Sequence, residues 1–191
     1  MQAGIMHYLT LFLGVFALST SAIFVKLAGA PSSITAFYRL FFALLFLLPL
    51  LLLDKAYWQD LRSLSKRQWQ TGLLSGLFLA IHYILWFESL NNTSVASSTV
   101  IVTLQPLFSF VGSYFLFKER FSTGAIISSI VALIGSFIIA WGDFQISMQA
   151  LYGDLLAFIA AGFITAYFFI GQHMRQKLAV VPYSILGYAA S

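Results

Sequence analysis

The stretch His82–Arg120, HYILWFESLNNTSVASSTVIVTLQPLFSFVGSYFLFKER, decides how this chain is read. It holds the end of one apolar segment, a polar turn at Asn91 to Ser94, and a second apolar segment closed by Lys118-Glu119-Arg120. A membrane-crossing helix needs about 20 mostly apolar residues to span about 30 Å of hydrocarbon. Both segments meet that length. Strand-type alternation is absent, and lipid forces each segment to satisfy its own backbone amides, so the spans are helices. The second span carries Pro106 near its middle, and most intramembrane polar residues of the chain fall in or beside this hairpin.

Composition extends the reading to the whole chain. Of 191 residues, 60% are hydrophobic and 8% charged, against about 25% charged in a soluble domain. So few charges cannot cover a water-facing surface, and an integral membrane protein follows. The absence of cysteine excludes disulfides, thiol chemistry and thiolate metal sites. Ala28-Gly29-Ala30 has the look of a cleavage site, but no basic residue precedes the first apolar run and Lys26 interrupts it. That run is read as a retained first span.

Working outward, the apolar segments place span 1 at 7–28, span 2 at 34–53, span 3 at 70–90, span 4 at 95–117, span 5 at 123–141 and span 6 at 152–172, with a seventh opening near Pro182. The expected fold is an all-α, multi-spanning helix bundle. The segments after spans 2, 4 and 6 carry Lys55, Arg62, Lys66 and Arg67, then Lys118 and Arg120, then Arg175 and Lys177. Eight of the ten basic residues thus sit in alternate loops. The positive-inside rule makes that side cytoplasmic and puts the N-terminus inside. The net charge of +4 is a topology signal, and no nucleic-acid partner is expected.

The loop at 54–69 carries Tyr57, Trp58, Leu61 and Leu64 at helical spacing beside its basic residues, the pattern of a helix lying in the interface. Ser65 and Gln68 form a capping-box pattern that opens span 3. Small residues recur every three or four positions in span 1 (Thr10, Gly14, Ala17, Ser21), span 3 (Gly72, Gly76, Ala80) and span 5 (Gly124, Ser128, Ala132, Ser136, Ala140). Such stripes let helices approach closely in lipid. Packing within one bundle is the first reading; a homodimer through span 5 is the alternative.

Ionisable groups inside a span are costly and point to function. Arg39 lies about 7 Å inside span 2 from its outer end, and His82 about 12 Å inside span 3. Glu88 lies near the outer end of span 3. Arg39 and Glu88 are expected either to pair or to line an outer polar vestibule. His82, on one face with Trp86 and Ser89, suits a proton relay or a neutral hydrogen bond between helices. Pro106 removes an amide and frees the Val102 carbonyl, so span 4 should kink at midplane. Ser94, Ser98, Gln105 and Ser109 recur around it, with Thr103 nearby, and a polar stripe in lipid must face protein or a cavity. Interrupted helices with midplane polar groups are how transporters build substrate sites. Motifs of zinc proteases, serine hydrolases and phosphate-binding loops are absent. No enzyme activity, cofactor or metal is expected.

Trp86, Leu90, the run Ser94-Val95-Ala96-Ser97-Ser98, Pro106, Glu119-Arg120 and Gly135, with Arg39 in span 2, together resemble the EamA-type repeat of the drug/metabolite transporter superfamily. The resemblance covers about residues 7–141 well and 150–191 weakly. Lys118 stands where a glycine usually precedes the glutamate, and Ser128 where span 5 usually has glycine. The resemblance implies ten helices in two inverted five-helix repeats. Residues 1–141 would then be one complete repeat and 142–191 the start of the second, cut short within a longer protein. It further implies a secondary exporter of a small metabolite, an amino acid or related compound, in the cell membrane of a bacterium, with protons as a candidate coupling ion. The alternative reading is a non-transporting multi-span membrane subunit or scaffold. His82, Trp86, Ser98, Thr103 and Gln105 would line the substrate cavity, Pro106 would be the hinge, and Glu119 and Arg120 would hold the cytoplasmic end of span 4.

Overall fold

The structure is a computed structural model that describes residues 2–118, 121–144 and 147–191. Its elements are helices: α1 (Gln2–Ala28), α2 (Ser32–Leu53), the short α3 (Lys55–Arg62), α4 (Lys66–Asn92), α5 (Val95–Val102), α6 (Gln105–Phe117), α7 (Thr123–Phe144), α8 (Met148–Met174) and α9 (Val180–Ala190). Among the described residues five stretches are long and apolar enough to cross a membrane: Met6–Ala28, Ser32–Leu53, Lys66–Asn92, Val95–Phe115 and Met148–Met174. Outward-facing side chains such as Phe12, Phe46 and Leu53 are more than 60% exposed, which suits lipid and not water. The chain is a multi-pass membrane protein.

The centre of the bundle is the antiparallel pair α4 and α8. Thr93 meets Asp154, His82 meets Ala160 and Phe78 meets Phe163 along its length. The contact surface is built from small residues. Ser75, Ser89, Ala157, Ala160 and Ala161 are fully buried, as expected where no hydrophobic effect drives helices together and close van der Waals packing must do so. The glycine stripe of α4 receives α9. A Cβ at Gly76 would lie 2.5 Å from Ala190 Cβ and 2.7 Å from the Gly187 carbonyl oxygen. That stripe is an internal packing face.

Helix α4 opens on the expected capping box: Ser65 Oγ accepts from the Gln68 amide, and the Gln68 side chain accepts from the Ser65 amide. The amphipathic face of α3 is covered largely by protein. Leu61 is buried in a core with Met174, Leu178 and Tyr183, and Tyr57 and Leu64 pack against it. Asp60 accepts a hydrogen bond from the Ala179 amide at the start of α9. The α3 segment and the α8–α9 connection therefore share one end of the bundle, which carries Lys55, Arg62, Lys66, Arg67, Arg175 and Lys177 and is called here the basic end.

Span 4 is two helices. After Val102 the chain turns: the Thr103 amide donates to the Thr99 and Val100 carbonyls, and the Leu104 amide to that of Ile101. Pro106 then sits in the first turn of α6, where its missing N–H costs nothing. The break thus precedes the proline, whose ring would clash with the Val102 carbonyl in a continuous helix and which has no amide to bond it. At its far end α6 is capped by Lys118 in the left-handed region, φ 54° and ψ 31°, a conformation that favours glycine. Glu119 and Arg120 lie outside the described residues. On α7, Ser136 is buried while Gly124, Ser128 and Ala132 are exposed.

Candidate functional site

Helix α1 touches the bundle mainly near its second half, where Ala22 is 1% exposed and Lys26 Nζ donates to the Thr93 carbonyl at 2.9 Å. Its first half stands away, and a cavity of about 830 Å³ fills the gap. Thr10, Gly14 and Ser19 form the α1 wall. The small residues of span 1 thus serve partly to make room: a Cβ at Gly14 would meet nothing within 4 Å. Arg39 of α2 and His82, Tyr83 and Trp86 of α4 form the facing wall. Thr99, Val102, Thr103 and Gln105 enter from the broken span 4, and Ile164 and Phe168 from α8.

Four of the five expected binding residues, His82, Trp86, Thr103 and Gln105, therefore meet around one cavity. Ser98 does not. It is fully buried and its hydroxyl accepts a hydrogen bond from Ser89 at 2.7 Å. The break at Thr103 divides the polar stripe of span 4: Ser98 packs against α4, Ser94 is exposed, and Thr103 and Gln105 line the cavity. Pro106 faces α7, in a small recess with Ser128 and Ala132.

The cavity extends from mid-helix toward the basic end, where its wall includes His7 of α1 and Phe168 of α8. Toward the opposite end it is closed in layers. Arg39 forms the first, with its guanidinium carbon 4.7 Å from the Tyr83 ring centre, 5.9 Å from Trp86 and 5.8 Å from Phe87, and it donates to Ser21 Oγ. The expected Arg39–Glu88 pair is not formed. Glu88 lies nearer the helix end, accepting from Ser32 Oγ at 2.6 Å and from Asn92 Nδ2 at 3.2 Å. Ser32 in turn accepts from Asn91 Nδ2 at 3.1 Å. Fully buried Phe87 and Leu90 lie between these polar layers.

The outermost layer contains a residue the sequence reading passed over. Asp154, 5% exposed, accepts from Thr93 Oγ1 at 2.9 Å and from Ser97 Oγ at 2.7 Å. It ties α8 to the end of α4 and the start of α5. Gly153 makes the approach possible, since a Cβ there would sit 2.8 Å from the Thr93 backbone nitrogen. The signal was present in the sequence as an acid two residues inside span 6 opposite a Thr-Ser-rich turn.

His82 is buried, with Nδ1 2.9 Å from the Ala160 carbonyl oxygen. A carbonyl only accepts, so Nδ1 carries the proton and Nε2 is the acceptor nitrogen of the neutral ring. The ring stacks on Trp86, 5.8 Å between centres with 22° between planes. Trp86 Nε1 and Thr99 Oγ1 are buried without a hydrogen-bond partner among the described residues. Among the described residues no three His, Asp or Glu side chains gather into a metal-binding group.

Comparison with known proteins fits this arrangement. The model of the EamA-like transporter family matches residues 5–141. An uncharacterized transporter of Bacillus subtilis (strain 168), YdfC, is 28% identical over 176 residues, covering 91% of this chain and 55% of that protein. The chain thus spans about half the length of the curated relative it matches. No solved structure matches it significantly. The family match spans well over half of the chain, and the protein belongs to the EamA-like transporter family.

Proposed function

We propose that this chain carries the substrate cavity of a secondary transporter that exports a small metabolite, an amino acid or related compound, by alternating access. The observation that carries the reading is the cavity of about 830 Å³ at the broken span 4, in contact with Arg39, His82, Thr103 and Gln105. A space of that size within a lipid-facing bundle falls in the range of small-molecule sites, about 300–1,000 Å³. If the basic end is cytoplasmic, as the positive-inside rule predicts, the cavity opens inward and the layers at Arg39, Glu88 and Asp154 close the outer side. The N-terminus is then cytoplasmic, and a cavity open to the cytoplasm is the state in which an exporter would load its substrate. Residues 142–191 would belong to a second, inverted repeat, with α8 as the counterpart of α1.

Coupling to the proton gradient is part of the proposal, with His82 Nε2 as the proton acceptor in the wall. The charged or titratable groups facing it are Arg39 and Tyr83, with His7 farther toward the basic end. The test is flux of a metabolite panel in vesicles containing the full-length protein, with and without a pH gradient. Gradient-dependent efflux is expected. No gradient-dependent flux of any compound would remove the coupled-exporter reading, and an unchanged pH dependence in His82→Ala would remove His82 from the proton step.

A further inference from the structure

Resting on the transport reading above, we infer that the cavity selects a singly charged carboxylate on an apolar or aromatic body, held by the Arg39 guanidinium. Arg39 lies well inside α2, half-buried in the cavity wall. A guanidinium has five N–H donors, and the hydrogen bond Arg39 makes within the protein is to Ser21. Its other partners are the faces of Tyr83, Trp86 and Phe87. Ring faces offset only part of the cost of holding a full charge at membrane depth. The remaining donors suit an anion, and their planar fork matches a carboxylate.

The rest of the wall is one-sided in charge. The described lining residues include no Asp or Glu. Glu88 stands two positions beyond Trp86, on a different face of α4, and already accepts from Ser32 and Asn92. Asp154 lies farther out and accepts from Thr93 and Ser97. Among the described residues a substrate ammonium finds no ion-pair partner in the cavity wall, so within the class proposed above the site favours a related compound that lacks the amino group over the amino acid itself. One guanidinium balances one negative charge, which favours a monoanion over a doubly charged phosphate. Trp86 and Thr99 line the cavity, and their Nε1 and Oγ1 donors lie buried behind its surface without a partner among the described residues. Leu11, Val15, Leu18, Ile164 and Phe168 complete an apolar surround for the body of the molecule.

The test is equilibrium binding of four shape-matched probes to the full-length protein in lipid nanodiscs: 3-phenylpropanoate, 3-phenylpropanamide, 3-phenylpropylamine and phenylalanine. The propanoate is expected to bind about tenfold or more tighter than the amide, the scale of one charge-assisted hydrogen bond, and tighter than the amine and phenylalanine. In Arg39→Gln the propanoate and amide should bind equally. Arg39→Lys, which keeps the charge and loses the fork, should lose most of the preference and serves if the glutamine variant does not fold. Amine or phenylalanine binding as tight as the propanoate, no binding of any probe, or an unchanged preference in either variant overturns the inference. Binding is read without flux, so the two failures separate. Arg39-dependent propanoate binding without transport in vesicles removes the transport reading alone. Transport with no Arg39-dependent anion preference removes the carboxylate site alone.

Discussion

Ser97 on α5 donates its hydroxyl hydrogen to the Asp154 carboxylate on α8 at 2.7 Å. Thr93 does the same from the preceding turn at 2.9 Å, so one carboxylate joins three segments at the end of the bundle opposite the basic one. Asp154→Ala removes the acceptor of both bonds. It should lower unfolding stability in detergent by about 1–3 kcal/mol, read as a fall in Tm, while Asp154→Asn, which keeps an acceptor oxygen, should lose less. An unchanged Tm in Asp154→Ala would contradict this role.

Gly76 should tolerate no side chain. Its Cβ position meets Ala190 Cβ at 2.5 Å and the Gly187 carbonyl oxygen at 2.7 Å, and backbone cannot swing aside as a flexible side chain does. Gly76→Ala is expected to cost about 1–3 kcal/mol through overpacking of α4 against α9. Gly14→Ala, with nothing within 4 Å, should leave stability nearly unchanged. Thermal unfolding of the two variants side by side checks the contrast.

Lys118 ends α6 with φ 54°, in the left-handed region where a Cβ is strained. Lys118→Gly relieves that strain and should raise stability by about 0.5–1 kcal/mol. A fall in Tm would contradict the assignment of Lys118 as a left-handed cap.

Much of this molecule is visible in its hydropathy and in a few local motifs. The presence of α2, α4 and α8 follows from apolar run length, although α4 and α8 each begin four residues before the expected spans. The start of α4 follows from Ser65 and Gln68, and the interruption of span 4 from Pro106. What hydropathy conveys is depth along a helix. It says little about which way a residue faces around the helix axis. Arg39 and Glu88 were expected to meet because both lie in the outer half of the membrane. They differ by more than a turn in depth, and Arg39 finds Ser21 and the Tyr83 ring first. Ser98 fell on the polar stripe of an ideal helix, but its hydroxyl is taken up by Ser89, while Thr99, Thr103 and Gln105 line the cavity. Asp154 was hidden because an acid near a span end reads as an ordinary boundary residue until its long-range partners in the α4–α5 turn are seen.

Pro106 should matter more for motion than for stability. Pro106→Ala restores an amide that can reach the Val102 carbonyl and permits a continuous helix through span 4. Stability should stay level or rise, while substrate flux falls. Full flux in a variant of unchanged or higher Tm would show that the break at Thr103 is not used as a hinge.

The most direct measurement uses the absence of cysteine in the chain. Thr103→Cys places a thiol in the cavity wall, and substrate efflux from vesicles is measured before and after reaction with a bulky thiol reagent. Flux through this cavity predicts that modification abolishes transport in Thr103→Cys and that bound substrate slows the labelling. The parent, with residues 1–191 unsubstituted and any cysteine elsewhere in the full-length protein replaced, should be indifferent to the reagent. Complete labelling of Thr103→Cys with flux undiminished would contradict the assignment of this cavity as the transport path.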